Sequence, residues 1–336
     1  IMDPLTQGLV GAAAATIAAD EKKYRPAAIT GFISATLADL DFFIQSSSDP
    51  LLNVELHRHF THSLFFVPFG ALIAAGLLFW FMRRHLTFRE LYLFSFISYA
   101  TAGLLDAFTS YGTMLLWPLS DIRFAWNLIS VVDPVFTLML LGLFGFSFYK
   151  KNLLITKLAI GWIGFYLLFG FFQHERATHF AERLAVARGH LVERMVVKPT
   201  IGNLLVWRST YETDGRFYAD GVRVGFSSWN AKIYRGESAP RFIPEKELDT
   251  LQRSTLYRDV LRFSKLSEGY LVKHPGKENI IGDARYSMLP TLLTPLWGIK
   301  VDRDEPERHA EFLYFRDASA EVREKFTKMI FGQELQ

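Results

Sequence analysis

Six consecutive residues, His57-Arg58-His59-Phe60-Thr61-His62, place three imidazoles immediately before an uncharged, mostly apolar run from Ser63 to Met82. The chain has no cysteine, so any divalent ion it holds must take histidine, aspartate or glutamate. Carboxylates stand at comparable boundaries. Asp39 and Asp41 end the apolar segment Ala27–Ala38, and Asp106 lies late in the apolar run Leu91–Gly112. An ionisable group inside such a run costs roughly 2.5–3.5 kcal/mol to insert, so Asp106 calls for a partner or a function. A divalent ion held by His57, His62 and an aspartate would lower the pKa of water towards about 7 and supply a hydroxide nucleophile. Asp39 or Asp106 would complete the shell or act as base. Zinc is the favoured ion, with manganese as the alternative.

Spacing restricts how these donors can meet. His57 and His62, five residues apart, would diverge by about 140° on one continuous helix. They converge only if His57 lies in a loop or a helix starts between them. His59 and His62 would share a helical face, which keeps His59 in consideration. Asp39 and Asp41 cannot both point the same way on a continuing helix, so one would ligate while the other orients a histidine. Ala102, Asp106 and Ser110 recur every four residues and share a face. Asp133 before Pro134 reads as an N-cap with proline at the first helical position. His174 and His179 sit in a polar stretch, Gln173–Gly189, that reads as a solvated connecting helix.

The elements that would position these groups are long apolar helices. Besides Ser63–Met82, the runs Leu91–Gly112, Ile129–Tyr149 and Leu153–Gln173 are each long enough to cross a bilayer, which takes about 20 residues. Leu5–Ala19 and Ala27–Ala38 are shorter and come as a pair. The expected fold is an α-helical membrane domain of four to six spans over residues 2–173, a connecting helix over 174–194, and a small α+β domain over 195–336. Lysines and arginines gather in alternate loops: Lys22, Lys23 and Arg25; Arg83, Arg84 and Arg89; Lys150, Lys151 and Lys157. The positive-inside rule puts those loops in the cytoplasm, and Asp39, Asp41, His57, His62, Asp106 and the C-terminal domain outside. Met2, after Ile1, reads as the natural start, and no cleavable signal peptide is apparent.

Beyond residue 195, Asn203–Thr213 and Arg216–Phe226 read as strands joined at Asp214-Gly215. Glu245–Leu266 and Ala318–Phe331 read as helices, and Gly269–Lys273, Asn279–Met288 and Ala310–Arg316 as strands. A net charge of +3 without a basic stripe argues against nucleic acid as a partner. No Walker motif, dinucleotide fingerprint or nucleophile elbow is present.

Four motifs occur in order: Met2-Asp3-Pro4-Leu5-Thr6-Gln7-Gly8, Ala38-Asp39-Leu40-Asp41, His57-Arg58-x-x-Thr61-His62-Ser63 and Leu104-Leu105-Asp106-x-x-Thr109-Ser110-Tyr111-Gly112-Thr113. Together they resemble the YdjM-like metal-dependent hydrolases of bacterial inner membranes, over roughly residues 2–140. The layout is also similar to zinc-dependent phospholipase C. The resemblance implies Asp39, His57, His62 and Asp106 as the metal site with Asp41 adjacent, and phosphoester hydrolysis as the activity. Gln7 and Ala102 depart from it, standing where histidines are expected, and His59 replaces an expected glycine. The expected function is therefore a multi-pass, membrane-bound, metal-dependent hydrolase acting on a phosphoester of a lipid or envelope substrate. The alternative is a catalytically degenerate scaffold that binds a protein partner through its C-terminal domain. A transporter has less support, because neither an internal repeat nor a midplane charge pair is evident.

Overall fold

Proline and short polar side chains set the helix starts of the N-terminal region. Asp3 caps α1 (Pro4–Ile17) by accepting from the Leu5 and Thr6 amides, with Pro4 at the first position. Helix α2 (Tyr24–Thr36) runs into a 3-10 turn, Leu37–Phe43, and the short α3 (Leu52–Leu56) precedes a second such turn, Phe60–His62. Helix α4 (Val67–Met82) has Pro68 in its first turn, and Thr87 and Glu90 form a capping box on α5 (Phe88–Ala107). Asp133 and Pro134 start α6 (Pro134–Lys150) as expected, and α7 covers Leu153–Ala187. The computed structural model describes residues 3–226 and 230–335; Met2, the expected start, lies outside the described residues.

The chain divides into two compact units. The first comprises Ile1–Ile44, Leu56–Phe172 and Ile201–Asn203; the second comprises Gln45–Glu55, Gln173–Thr200 and Leu204–Gln336. In the first, small residues let helices approach closely. A Cβ on Gly11 of α1 would fall 2.4 Å from the Ala35 Cβ of α2, and Ser98 Oγ of α5 donates to the Gly11 carbonyl at 2.8 Å. Apolar side chains line the outside of the helices: Phe69, Ile73, Leu77 and Phe81 form an exposed stripe along α4.

Helices α4 and α6 cover 16 and 17 residues, fewer than the apolar runs Ser63–Met82 and Ile129–Tyr149 expected there. Among the described residues, α7 is the one helix long and apolar enough to cross a membrane by itself. The segment Leu52–His62 and α4 meet that test only together, and they are bent by 89°. At 1.5 Å per residue, α4 and α6 reach roughly 24–26 Å, short of a ~30 Å hydrocarbon core. The expectation of four to six spans counted residues 63–66, 108–112 and 129–133, which lie outside α4, α5 and α6. What stands is a helical N-terminal region followed by a β-sheet domain.

That domain holds two four-stranded antiparallel meanders. The first is β1 (Arg194–Pro199), β2 (Val206–Thr213), β3 (Arg216–Val224) and β4 (Ala231–Pro240). Asp214 and Gly215, both at positive φ, close the β2–β3 hairpin. Next come α8 (Pro244–Glu247) and α9 (Thr255–Leu266), which divide the single helix expected over Glu245–Leu266 because Ser254 caps a new start. The second sheet is β5 (Leu271–Lys273), β6 (Ile280–Asp283), β7 (Trp297–Lys300) and β8 (Glu311–Tyr314), followed by α10 (Ala320–Phe331). Leu256, Val260 and Phe263 of α9 pack with Leu271, Ile281 and Ile299 in one buried core.

Candidate metal centre

Three elements of the helical unit bring the acidic and imidazole groups together. The 3-10 turn after α2 carries Asp39 and Asp41, the segment following α3 carries His57 and His62, and the last turn of α5 carries Asp106. The approach depends on Gly103. A Cβ there would fall 2.2 Å from the His62 carbonyl oxygen, so only glycine lets the histidine turn rest on α5 one turn before Asp106. Helix α5 ends at Ala107 because later backbone takes its carbonyls: Trp126 N–H donates to Ala107, and the Leu128 and Ile129 amides donate to Phe108. Ser110 is therefore beyond the helix, which corrects the expected Ala102–Asp106–Ser110 face.

His62 Nε2 lies 3.2 Å from Asp39 Oδ1 and 3.2 Å from Asp106 Oδ2. The donors of Asp39, His62 and Asp106 all fall within 4.8 Å of one another, and the side chains of His62 and Asp106 are wholly buried. Donors each about 2.0–2.1 Å from a common ion are separated by about 3.0–3.4 Å in tetrahedral or octahedral shells. Both separations from His62 Nε2 fall in that range.

Asp41 is differently engaged. Its Oδ1 faces His57 Nδ1 at 2.9 Å, and its Oδ2 accepts from the Arg58 amide at 3.0 Å and from Thr61 Oγ1 at 2.5 Å. The same Oδ2 lies 3.3 Å from His62 Nδ1. One carboxylate thus addresses the Nδ1 edge of both histidines and turns their Nε2 atoms away from itself, an arrangement that orients imidazole ligands. Burial opposes ionisation of Asp41, but hydrogen bonds to His57 and His62 outweigh it and hold the carboxyl well below its usual range.

Several buried atoms remain without a hydrogen-bond partner among the described residues: His57 Nε2, Asp39 Oδ2, Asp106 Oδ1 and both amide atoms of Gln7. An unmet buried polar group costs about 1–3 kcal/mol, and more when charged. The unmet groups on Asp39, His57 and Asp106 are all ones that a cation could satisfy. Lone pairs of this kind, on hard oxygen and imidazole nitrogen with no sulfur, suit zinc or manganese.

The other sequence candidates go elsewhere. His59 packs against Trp117 and Phe60, with ring centroids at 5.4 and 6.3 Å. Ala102 is fully buried in an apolar group with Ala38, Val67 and Tyr99, offering no donor. Asp133 caps α6 through the Phe136 amide and accepts from Tyr166 Oη at 2.9–3.0 Å. His174 packs against Trp207, with ring centroids at 5.7 Å, and His179 against Phe180 at the same separation.

Sequence reasoning gave Arg58 no role. Its side chain is wholly buried, with Nε 3.0 Å from Asp106 Oδ2. Its Nη1 donates to Thr109 Oγ1 at 3.0 Å, and its guanidinium stands 5.4 Å from the Tyr111 ring centroid. The signal was present: an arginine between histidines at an apolar boundary has no solvated face to occupy.

No curated protein and no solved structure matches the chain, and the wider likeness to zinc-dependent phospholipase C is not shown. The family model described as YdjM inner membrane protein matches residues 2–177, more than half of the sequence, and the chain belongs to that family.

Proposed function

We propose that this inner-membrane protein is a metal-dependent hydrolase whose ion is held by Asp39, His62 and Asp106, with His57 beside them. The observation that carries this reading is the convergence of His62 Nε2 on the half-buried Asp39 and the buried Asp106, whose Oδ2 and Oδ1 respectively have no hydrogen-bond partner among the described residues. When bound, a zinc or manganese ion supplies Lewis acidity and lowers the pKa of water towards about 7. The chain's own groups do the rest. Asp41 fixes the histidine rings, and His57, with Nδ1 turned to Asp41, presents Nε2 as a proton acceptor or a further donor atom. Asp39, through its unpaired Oδ2, is the candidate base.

A multi-pass arrangement with this centre at the outer membrane face is part of the proposal. Lys22, Lys23, Arg84, Arg89, Lys150 and Lys151 fall at the ends of α1, α2, α4, α5 and α6 remote from Asp39, His62 and Asp106. That distribution supports a cytoplasmic position for the basic ends. Exposed apolar side chains on the loops of the centre's end, Phe43, Leu119 and Ile122, suit an amphiphilic substrate, and a phosphoester at a lipid headgroup is the class we favour. Purified protein loaded with zinc or manganese is expected to release phosphate-bearing headgroup or diacylglycerol from a phospholipid panel, and Asp39→Asn is expected to abolish that release. Absence of product from every lipid, with metal bound, would contradict the activity.

A second reading is a non-catalytic scaffold holding a structural ion, with a protein partner for the sheet domain. Ala102 favours it, because an apolar packing residue stands where the resemblance implies a ligand. Metal retention without turnover would be its signature.

A further inference from the structure

Donor atoms at this centre outnumber what one ion needs. Beyond the trio that meets at His62 Nε2, buried Asp39 Oδ2, Asp106 Oδ1 and His57 Nε2 also lack hydrogen-bond partners among the described residues. By count alone these atoms could serve a second divalent ion, though the gathered donor group is Asp39, His62 and Asp106. Charge decides otherwise, and the charge comes from Arg58.

Arg58 enters the centre through an unusual backbone. Its φ is +58°, a left-handed conformation that an arginine adopts only when its surroundings impose it. Both ends of the residue are used. Its amide donates to Asp41 Oδ2 at 3.0 Å, its carbonyl accepts from Met114 N–H at 3.1 Å, and its guanidinium reaches Asp106. The Nε–Oδ2 separation of 3.0 Å is an ion-pair contact without hydrogen-bond alignment, so the guanidinium neutralises Asp106 while leaving its oxygens uncommitted. A guanidinium stays protonated at any ordinary pH.

We infer that Arg58 is a built-in monocation that limits this centre to one divalent ion per chain. The inference rests on the metal reading above. Asp39, Asp41 and Asp106 contribute three negative charges and Arg58 one positive charge. The remaining −2 is balanced by a single divalent ion, with the histidines neutral as ligands. A second ion would leave a buried surplus of two positive charges, which desolvation opposes strongly. Arg58 thus occupies in charge, though not in coordination, the place of a second metal. Thr109 Oγ1 and the Tyr111 ring hold the guanidinium against Asp106.

The test is metal stoichiometry of the full-length, detergent-purified chain, titrated with zinc and with manganese and read by elemental mass spectrometry after desalting. Wild type is expected to saturate at one ion per chain. Arg58→Gln, which removes the charge and keeps the donors, is expected to take up a second ion, while Arg58→Lys stays at one. Two ions in wild type overturn the inference, as does a folded Arg58→Gln variant that saturates at one ion. If the glutamine variant does not fold, saturation of wild type decides: one ion supports the inference and two overturn it. A wild type that binds no ion overturns the metal reading itself, and this inference with it.

Discussion

In the helical unit, Asp39, His62 and Asp106 bring donor atoms within 4.8 Å of one another; in the sheet unit, Asp49, Asp259 and His309 do the same. Composition and spacing make the two groups alike, but hydrogen bonding separates them. The Arg262 guanidinium donates to both oxygens of Asp49, both oxygens of Glu55 and Oδ1 of Asp259, at 2.6–3.0 Å. Asp259 Oδ2 accepts from the Ala310 amide at 2.9 Å and faces His309 Nδ1 at 2.8 Å. A cation arriving there would have to displace a guanidinium that already meets the acidic groups. In the helical unit Arg58 neutralises Asp106 without saturating it, and donor atoms remain. Unmet hydrogen-bonding capacity, rather than the gathering of His and Asp, marks the candidate site.

The contrast can be broken most sharply at His62. His62→Ala removes the nitrogen on which both carboxylates converge and is expected to reduce bound metal from near one ion per chain to less than about a tenth of that, read by elemental analysis. A smaller effect is expected at Asp41, which orients the rings. Asp41→Asn should weaken metal affinity by about 10–100-fold while leaving the chain able to bind at higher concentration, measured by competition with a chelating dye.

The sheet unit offers a different kind of buried charge. Lys198 donates to Tyr286 Oη at 3.1 Å, and burial, with Arg285 nearby, pushes its pKa down to about 7. Because this folded value lies below the unfolded 10.5, the unfolded chain binds more protons between them. Stability of the sheet unit should therefore rise as pH increases from about 7 to 9.5, and Lys198→Met should flatten that rise in urea titrations. A wild-type midpoint independent of pH over this window would contradict the assignment. The smallest effect is expected at Asp259. Asp259→Asn should cost about 1–2 kcal/mol through weakened contacts with Arg262 and His309, and should leave metal content unchanged. Loss of metal in that variant would erase the distinction between the two groups.

The candidate donors were legible because they sit where apolar runs begin or end, and polar groups at such boundaries are conspicuous. How they meet was not. The His57–His62 divergence is resolved by a 3-10 turn and a left-handed Arg58, and neither leaves a periodic trace. The end of α5 at Ala107 is imposed by amides some twenty residues later, a pairing no local pattern reveals. Span lengths were overread because apolar residues also build the non-helical segments around the centre. In the sheet unit, the β2–β3 hairpin announced itself through Asp214-Gly215. β4 did not, since it is largely exposed and polar after Tyr234, and β7 is only four residues long. Arg58 was marked by its place between histidines at an apolar boundary, but its pairing with Asp106 of α5 leaves no local trace.

X-ray absorption at the metal edge of the zinc-reconstituted, desalted protein tests the central claim most directly. The account predicts a shell of nitrogen and oxygen only, at about 2.0–2.1 Å, with imidazole scattering. A shell without imidazole, or a protein that retains no zinc, would contradict it.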